Sequence, residues 1–186
     1  MPVVARAVRP ANPRGKATKL SARLASKQLG DAGEELAVQL LRQHGYTASL
    51  LTRNFPTYDI EVSAADTNFR VSVKVARAQQ HLRLGSRSSV DRLSKGNFIF
   101  AFLANLSKEV SLVPGGYRLL ILPAAEVRDY ALSVHDSYWA ARGTADGYSV
   151  MIKAHDLNHI DVWRRWSATY EDAWQLLPPP RNPTVD

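Results

Sequence analysis

The sequence predicts an α/β fold, a central mixed β-sheet flanked by helices, and three observations carry that prediction. Leu29, Leu36, Ala37, Leu40 and Leu41 recur at helical spacing over residues 26–44. Two strand-like segments, 57–63 and 70–76, are joined by the turn Ala64-Ala65-Asp66-Thr67-Asn68, which makes a hairpin. Asn97-Phe98-Ile99-Phe100-Ala101-Phe102-Leu103-Ala104 is a continuous apolar run of strand length, the mark of a strand covered on both faces.

The elements follow in order. Residues 1–25 form a basic arm whose prolines, Pro2, Pro10 and Pro13, and few large apolar side chains leave too little buried surface to offset the entropy of ordering. The helix over 26–44 then stops at Gly45. Strands are predicted over 47–53, 57–63, 70–76, 97–104 and 117–122, the last opened by the turn Val113-Pro114-Gly115-Gly116 and closed by Pro123. A helix over 124–132, an edge strand over 147–154 and a short helix over 169–177, ended by Pro178-Pro179-Pro180, complete a single domain of residues 26–180 with a tail of 181–186.

Charge is distributed unevenly. The net charge is +7, yet beyond residue 28 the bases and acids balance at 17 each, so the excess sits in Arg6, Arg9, Arg14, Lys16, Lys19, Arg23 and Lys27. A cationic arm of this kind suits phosphate binding through counterion release, although solubilising tails and organelle transit peptides share its composition. Inside the neutral body, Arg70, Lys74, Arg77, Arg83, Arg87, Arg92 and Lys95 face only Asp91, whereas residues 29–69 are rich in acids. Acids for a metal beside bases for a polyanion is the division a nuclease needs; a solvated charged loop has the same composition. The chain has no cysteine, which excludes disulfides and thiolate chemistry and fits a reducing, cytoplasmic setting. No apolar run approaches the roughly 20 residues of a membrane span, so no membrane partner is expected.

Asp59 and Lys74 lie on the two strands of the hairpin. In strand period Asp59 and Glu61 share one face of the first strand, and Ser72 and Lys74 share one face of the second. Glu34 stands at the edge of the helix's apolar stripe, near Val38 and Leu41, whereas Glu35 aligns with Gln39 and Arg42 on the wet side. Hydrolysis of a phosphodiester needs a divalent ion, an activated water and a positive group for the developing charge, and an Asp, a second carboxylate and a Lys are a minimal kit for it. Each residue also has a plainer reading: Asp59 and Lys74 as a structural ion pair, Glu34 as a surface charge.

Gly30-Asp31-Ala32-Gly33-Glu34-Glu35-Leu36-Ala37, Leu40-Leu41, His44-Gly45-Tyr46, Tyr58-Asp59-Ile60 and Val71-Ser72-Val73-Lys74 together resemble, over residues 29–80, the PD-(D/E)XK nuclease superfamily, in particular its small Holliday-junction-resolvase-like and restriction-endonuclease-like members. The resemblance implies a restriction-endonuclease-like sheet and a metal-dependent DNA endonuclease. Asp59 would be the metal-binding aspartate, Lys74 the lysine at the attacking water or scissile phosphate, and Glu34 the helix-borne acid. The Val73 carbonyl would complete the shell around Mg²⁺ or Mn²⁺. DNA would be held by Arg77, Gln79, Arg83 and Arg87 and by Lys16 and Lys19 of the arm, and a homodimer would suit cutting of two strands. The departure is Ser72, which stands at the (D/E) position. A hydroxyl is a weak Mg²⁺ ligand, so Glu34 or Glu61 would have to supply the charge, or the protein keeps the fold as a DNA-binding or assembly subunit with weakened catalysis. Glu61 lies about 6.6 Å from Asp59 along the strand.

Two further motifs are weaker. His155 and His159 have the spacing of a helical metal pair but lack the glutamate of a metalloprotease motif, and Trp163-Arg164-Arg165-Trp166 reads as a core anchor or as a stacking surface for nucleic acid.

Overall fold

The computed structural model describes residues 14–52, 55–77, 81–104, 112–113, 115–143, 149–153 and 160–181. Its centre is a five-stranded mixed sheet in the order β1-β2-β3-β5-β6, formed by β1 (Thr47–Leu50), β2 (Ile60–Ser63), β3 (Asn68–Arg77), β5 (Phe98–Ala104) and β6 (Tyr117–Pro123). The β1–β2, β2–β3 and β5–β6 pairs are antiparallel, and β3–β5 is parallel. Helix α1 (Arg14–Gln43) covers one face. The other face carries α2 (Arg87–Asp91), α3 (Ala124–Ala140), α4 (Ile160–Tyr170) and a separate two-stranded sheet of β4 (His81–Ser86) with β7 (Ser149–Lys153). The predicted α/β architecture with a central mixed sheet is therefore the observed one.

The alternation of side chains across the sheet divides the core in two. Phe98, Phe100 and Phe102 of β5, with Leu119 and Ile121 of β6 and Val71 and Val73 of β3, pack toward α1 against Ala37, Val38 and Leu41. Ile99, Ala101 and Leu103, with Leu120 and Leu122, pack the other way against Leu82, Leu84, Val90, Leu93, Val127, Trp163 and Trp166. A strand that is apolar on both faces, as residues 97–104 are, belongs at the middle of such a sandwich, and β5 does lie between β3 and β6.

Several elements depart from the sequence reading. Helix α1 begins at Arg14 rather than at residue 26, because Ala17, Lys19, Leu20, Ala22, Arg23, Leu24 and Ala25 are strong helix formers and no proline lies between Pro13 and the helix end at Gln43. Helix α3 runs to Ala140, since the buried stripe of Val127 and Ala131 continues one turn further through His135, a polar residue at a core position. The helix predicted over 169–177 lies earlier, as α4. Asp172, with φ of 46°, breaks the chain there, and only a 3₁₀ turn at Trp174–Leu176 falls in the predicted range. The sequence reading has no counterpart to β4: His81-Leu82-Arg83-Leu84 does alternate, with Leu82 and Leu84 buried, but its arginines give it the composition of a charged surface segment.

Trp163 and Trp166 are both buried in α4, while Arg164 and Arg165 lie outside, next to Asp161 and Glu126. The core-anchor reading of that motif is the observed one. His155 and His159 lie outside the described residues. No helix of the described residues is long and apolar enough to cross a membrane.

Candidate active site

Asp59 sits immediately before β2, with its main chain bonded to both sides: Leu51 donates to its carbonyl at 2.8 Å, and its own N–H donates to the Val71 carbonyl at 2.9 Å. The β2 ladder stops at the Ile60–Val71 pair, so the next main-chain donor of β3, the Val73 N–H, has no strand partner on that side. The Asp59 carboxylate takes its place, with Oδ2 accepting from Val73 N at 2.6 Å. The sheet's own unfilled hydrogen bond thus orients the acid.

Ser72 and Lys74 face away from α1, because Val71 and Val73 between them join the helix-side core. Ser72 is one of two buried polar residues among those described, 1% exposed. Both capacities of its hydroxyl are used: Oγ donates to Asp59 Oδ2 at 3.4 Å and accepts from Lys74 Nζ at 2.8 Å. The Lys74 ammonium also donates to the Val73 carbonyl at 3.1 Å and stands 3.9 Å from Asp59 Oδ2. Burial lowers the pKa of Lys74, and the charges of Asp59 and then Glu34 oppose that shift. Asp59, Ser72, the Val73 main chain and Lys74 therefore form one connected cluster, and Glu34 acts on it through its charge.

The charge of Glu34 is felt at Lys74, and α1, which carries Glu34, lies very close to β3. A Cβ placed on Gly33 would stand 2.3 Å from Val75 Cγ2, so only glycine allows the helix this approach. Glu35 is exposed, as the helical phase predicts. Glu61 takes a different partner, Arg70, at 3.5 Å. Arg70 in turn lies over the Phe55 ring, 4.6 Å from its centroid.

The loop leading to Asp59 is strained and anchored. Thr57 has φ of 86°, a left-handed conformation that a β-branched residue rarely adopts, and its Oγ1 donates to the Ser89 carbonyl at 3.1 Å. Tyr58 Oη accepts from Ser94 N at 2.9 Å. These bonds fix the Asp59 loop to α2 and the segment after it. Leu82, Leu84, Val90 and Leu93 share the core of Ala76, which places the basic stretch of β4 and α2 on the same face of the sheet as Ser72 and Lys74. Nothing local in the sequence marks Thr57. The hydroxyl-rich run Ser86 to Ser94 was the available signal for the anchor.

The expected nucleic-acid contacts divide. Arg83 is exposed on β4. Arg87 is held by Asp136 through two bonds of 3.0 and 2.8 Å, so it is tied to α3 and not free to reach out. Arg77 ends β3, but its side chain, those of Lys16 and Lys19, and Gln79 lie outside the described residues.

Among the described residues no three Asp, Glu or His side chains gather as a metal cluster. Mg²⁺ is commonly held by only one or two carboxylates and otherwise keeps its waters. By donor chemistry, two carboxylates and a carbonyl, the set Asp59, Glu34 and Val73 named from the sequence is of the kind that suits such a water-rich ion and not a dehydrated one.

No family model matches the chain, and no curated protein matches it. Among solved structures, Hjc, a Holliday junction resolvase from Archaeoglobus fulgidus, is similar with 18% identity and a TM-score of 0.38, over 52% of this chain and 73% of that one. At that TM-score the likeness defines no family, and the chemistry of the site rests on its own geometry.

Proposed function

We propose that the chain is a divalent-metal-dependent DNA endonuclease of the PD-(D/E)XK kind, hydrolysing phosphodiester bonds at the Asp59–Lys74 site. The observation that supports the reading is the meeting of Asp59 Oδ2, Ser72 Oγ, the Val73 main chain and Lys74 Nζ where β2 ends beside β3. Asp59, Glu34 and the Val73 carbonyl would hold Mg²⁺ or Mn²⁺, which when bound offsets phosphoryl charge and supplies an acidified water. Asp59 is preset for this role by its bond from Val73 N–H, so it needs no reorganisation. Lys74, only 22% exposed and 3.9 Å from Asp59 Oδ2, would turn from Ser72 toward the phosphate or the attacking water. Arg83, Arg92 and Lys95 on the same face, with Lys16 and Lys19 of the N-terminal segment, would follow the DNA backbone. A homodimer would bring two such sites to two strands.

Plasmid nicking in Mg²⁺ and Mn²⁺ tests the reading. Asp59→Ala and Lys74→Ala should each lower the nicking rate by about 10²-fold or more. Undiminished cleavage in both variants would sink the proposal.

Ser72 favours a second reading. With a neutral hydroxyl at the second acidic position, already accepting from Lys74 at 2.8 Å, the site carries less negative charge than a nuclease of this type, which suits a DNA-binding or assembly subunit with weakened turnover. Under that reading DNA binds in a salt-sensitive way with no cleavage in either metal, and Ser72→Glu gains cleavage.

A further inference from the structure

We infer that Ser72 serves the lysine and not the metal: it seats the Lys74 ammonium inside the cation site, so that Lys74 and a divalent ion are alternative occupants of the same oxygens. The inference rests on the metal-dependent reading above and concerns how the ion gains entry. Lys74 Nζ donates to Ser72 Oγ at 2.8 Å and to the Val73 carbonyl at 3.1 Å, and it lies 3.9 Å from Asp59 Oδ2. The Val73 carbonyl and Asp59 are also oxygens that an ion would need. Charge explains why the hydroxyl matters. A carboxylate at position 72 would put a second full negative charge against Asp59, a site that calls for a doubly charged ion. With serine, the two acids that act on the site, Asp59 and Glu34, meet one amine, and the hydroxyl turns its proton to Asp59 at 3.4 Å and one of its two lone pairs to Lys74 at 2.8 Å. A neutral hydroxyl is a poor Mg²⁺ ligand but a good acceptor for an ammonium. Entry of the ion then requires Lys74 to swing out of its seat, which is the movement that would carry it toward a phosphate.

Ser72→Ala separates this arrangement from one in which Ser72 is a metal ligand, because the two predict opposite signs. Mn²⁺ alone is titrated into the full chain without nucleic acid, followed by calorimetry and by the electron paramagnetic resonance of free Mn²⁺, with melting curves confirming that each variant is folded. Ser72→Ala should bind Mn²⁺ more tightly, and Lys74→Met more tightly still, by about tenfold, the scale of one lost charge-assisted hydrogen bond. Asp59→Asn should lose binding. Arg70→Met, which removes a neighbouring cation outside the seat, should change the affinity far less than Lys74→Met. Equal or weaker binding in Ser72→Ala overturns the inference, as does an equal gain in Arg70→Met. Absence of Mn²⁺ binding in every variant overturns both it and the metal-dependent reading. The expected order of affinities without any DNA cleavage upholds it and sinks only the nuclease activity.

Discussion

At the scale of single residues, the site shows how an unfilled main-chain position can set a side chain. Asp59 is placed by the Val73 N–H that β2 leaves without a partner, so its orientation follows from where a strand ends. Thr57, two residues earlier, holds an unfavourable φ of 86° and offsets part of that cost through its bond to Ser89. Thr57→Val keeps the strain and removes the bond, and should destabilise by about 1 kcal/mol in chemical denaturation. Thr57→Gly relieves the strain while losing the same bond, so it should stay within about 1 kcal/mol of the wild type. If Val and Gly cost the same, backbone strain at Thr57 is not significant. Strand alternation suggested that Asp59 could face Ser72 and Lys74, but Asp59 lies just before β2, and the Val73 N–H sets its orientation. The anchoring of its loop by Ser89 and Ser94 was not, because it joins segments about 30 residues apart through side-chain to main-chain bonds that leave no periodic trace.

At the scale of elements, α1 and β3 are coupled through one glycine. The helix lies so close to the strand that a methyl group on residue 33 would overlap Val75. Gly33→Ala should therefore destabilise the fold by about 1–3 kcal/mol despite alanine's better helix propensity. Val75→Ala in the same chain should recover part of the loss by removing the Cγ2 atom in the way. A double variant no more stable than Gly33→Ala would place the close approach elsewhere. The spacing of Gly33 and Glu34 in the helix was visible in the sequence, but the need for glycine was not, since it depends on the packing distance between α1 and β3, which are not adjacent in the chain. The β4–β7 sheet carries the same lesson. Its first strand alternates as a strand should, but its partner is far along the chain.

At the scale of the whole molecule, pH and salt are the sensitive variables. Burial, and then its hydrogen bond to Glu126, push Tyr170 up to about 12 from 10.0. A raised pKa means stability that is fully present below pH 10 and lost as pH rises from 10 through 12. Denaturation curves over that range should fall more steeply for the wild type than for Tyr170→Phe, and parallel curves would refute the linkage. At the acid end, the hydrogen bonds from Arg87 and then His135 hold Asp136 at about 2 instead of 3.8. The stability this adds is present above pH 3.8 and disappears as pH falls through 2, so Asp136→Asn should flatten the acid side of the profile. For DNA, replacing Lys16 and Lys19 by alanine should reduce the slope of log affinity against log salt by about two, at roughly 0.9 per phosphate contact. An unchanged slope would remove the N-terminal segment from the interface.

The sequence by itself determined the layered α/β architecture, the hairpin that carries Lys74 with Asp59 at its edge, and the helix face that carries Glu34. Those features follow from local periodicity, which a chain expresses residue by residue. Tertiary structure alone decided that Arg87 is committed to Asp136, that Glu61 pairs with Arg70, that the basic stretch of β4 and α2 lies on the face of Ser72 and Lys74, and that Ser72 accepts a hydrogen bond from Lys74. Each of these is an interaction between side chains whose separation is fixed by packing. Hydrogen bonds and ion pairs act over about 3–4 Å, a scale that no spacing along the sequence encodes.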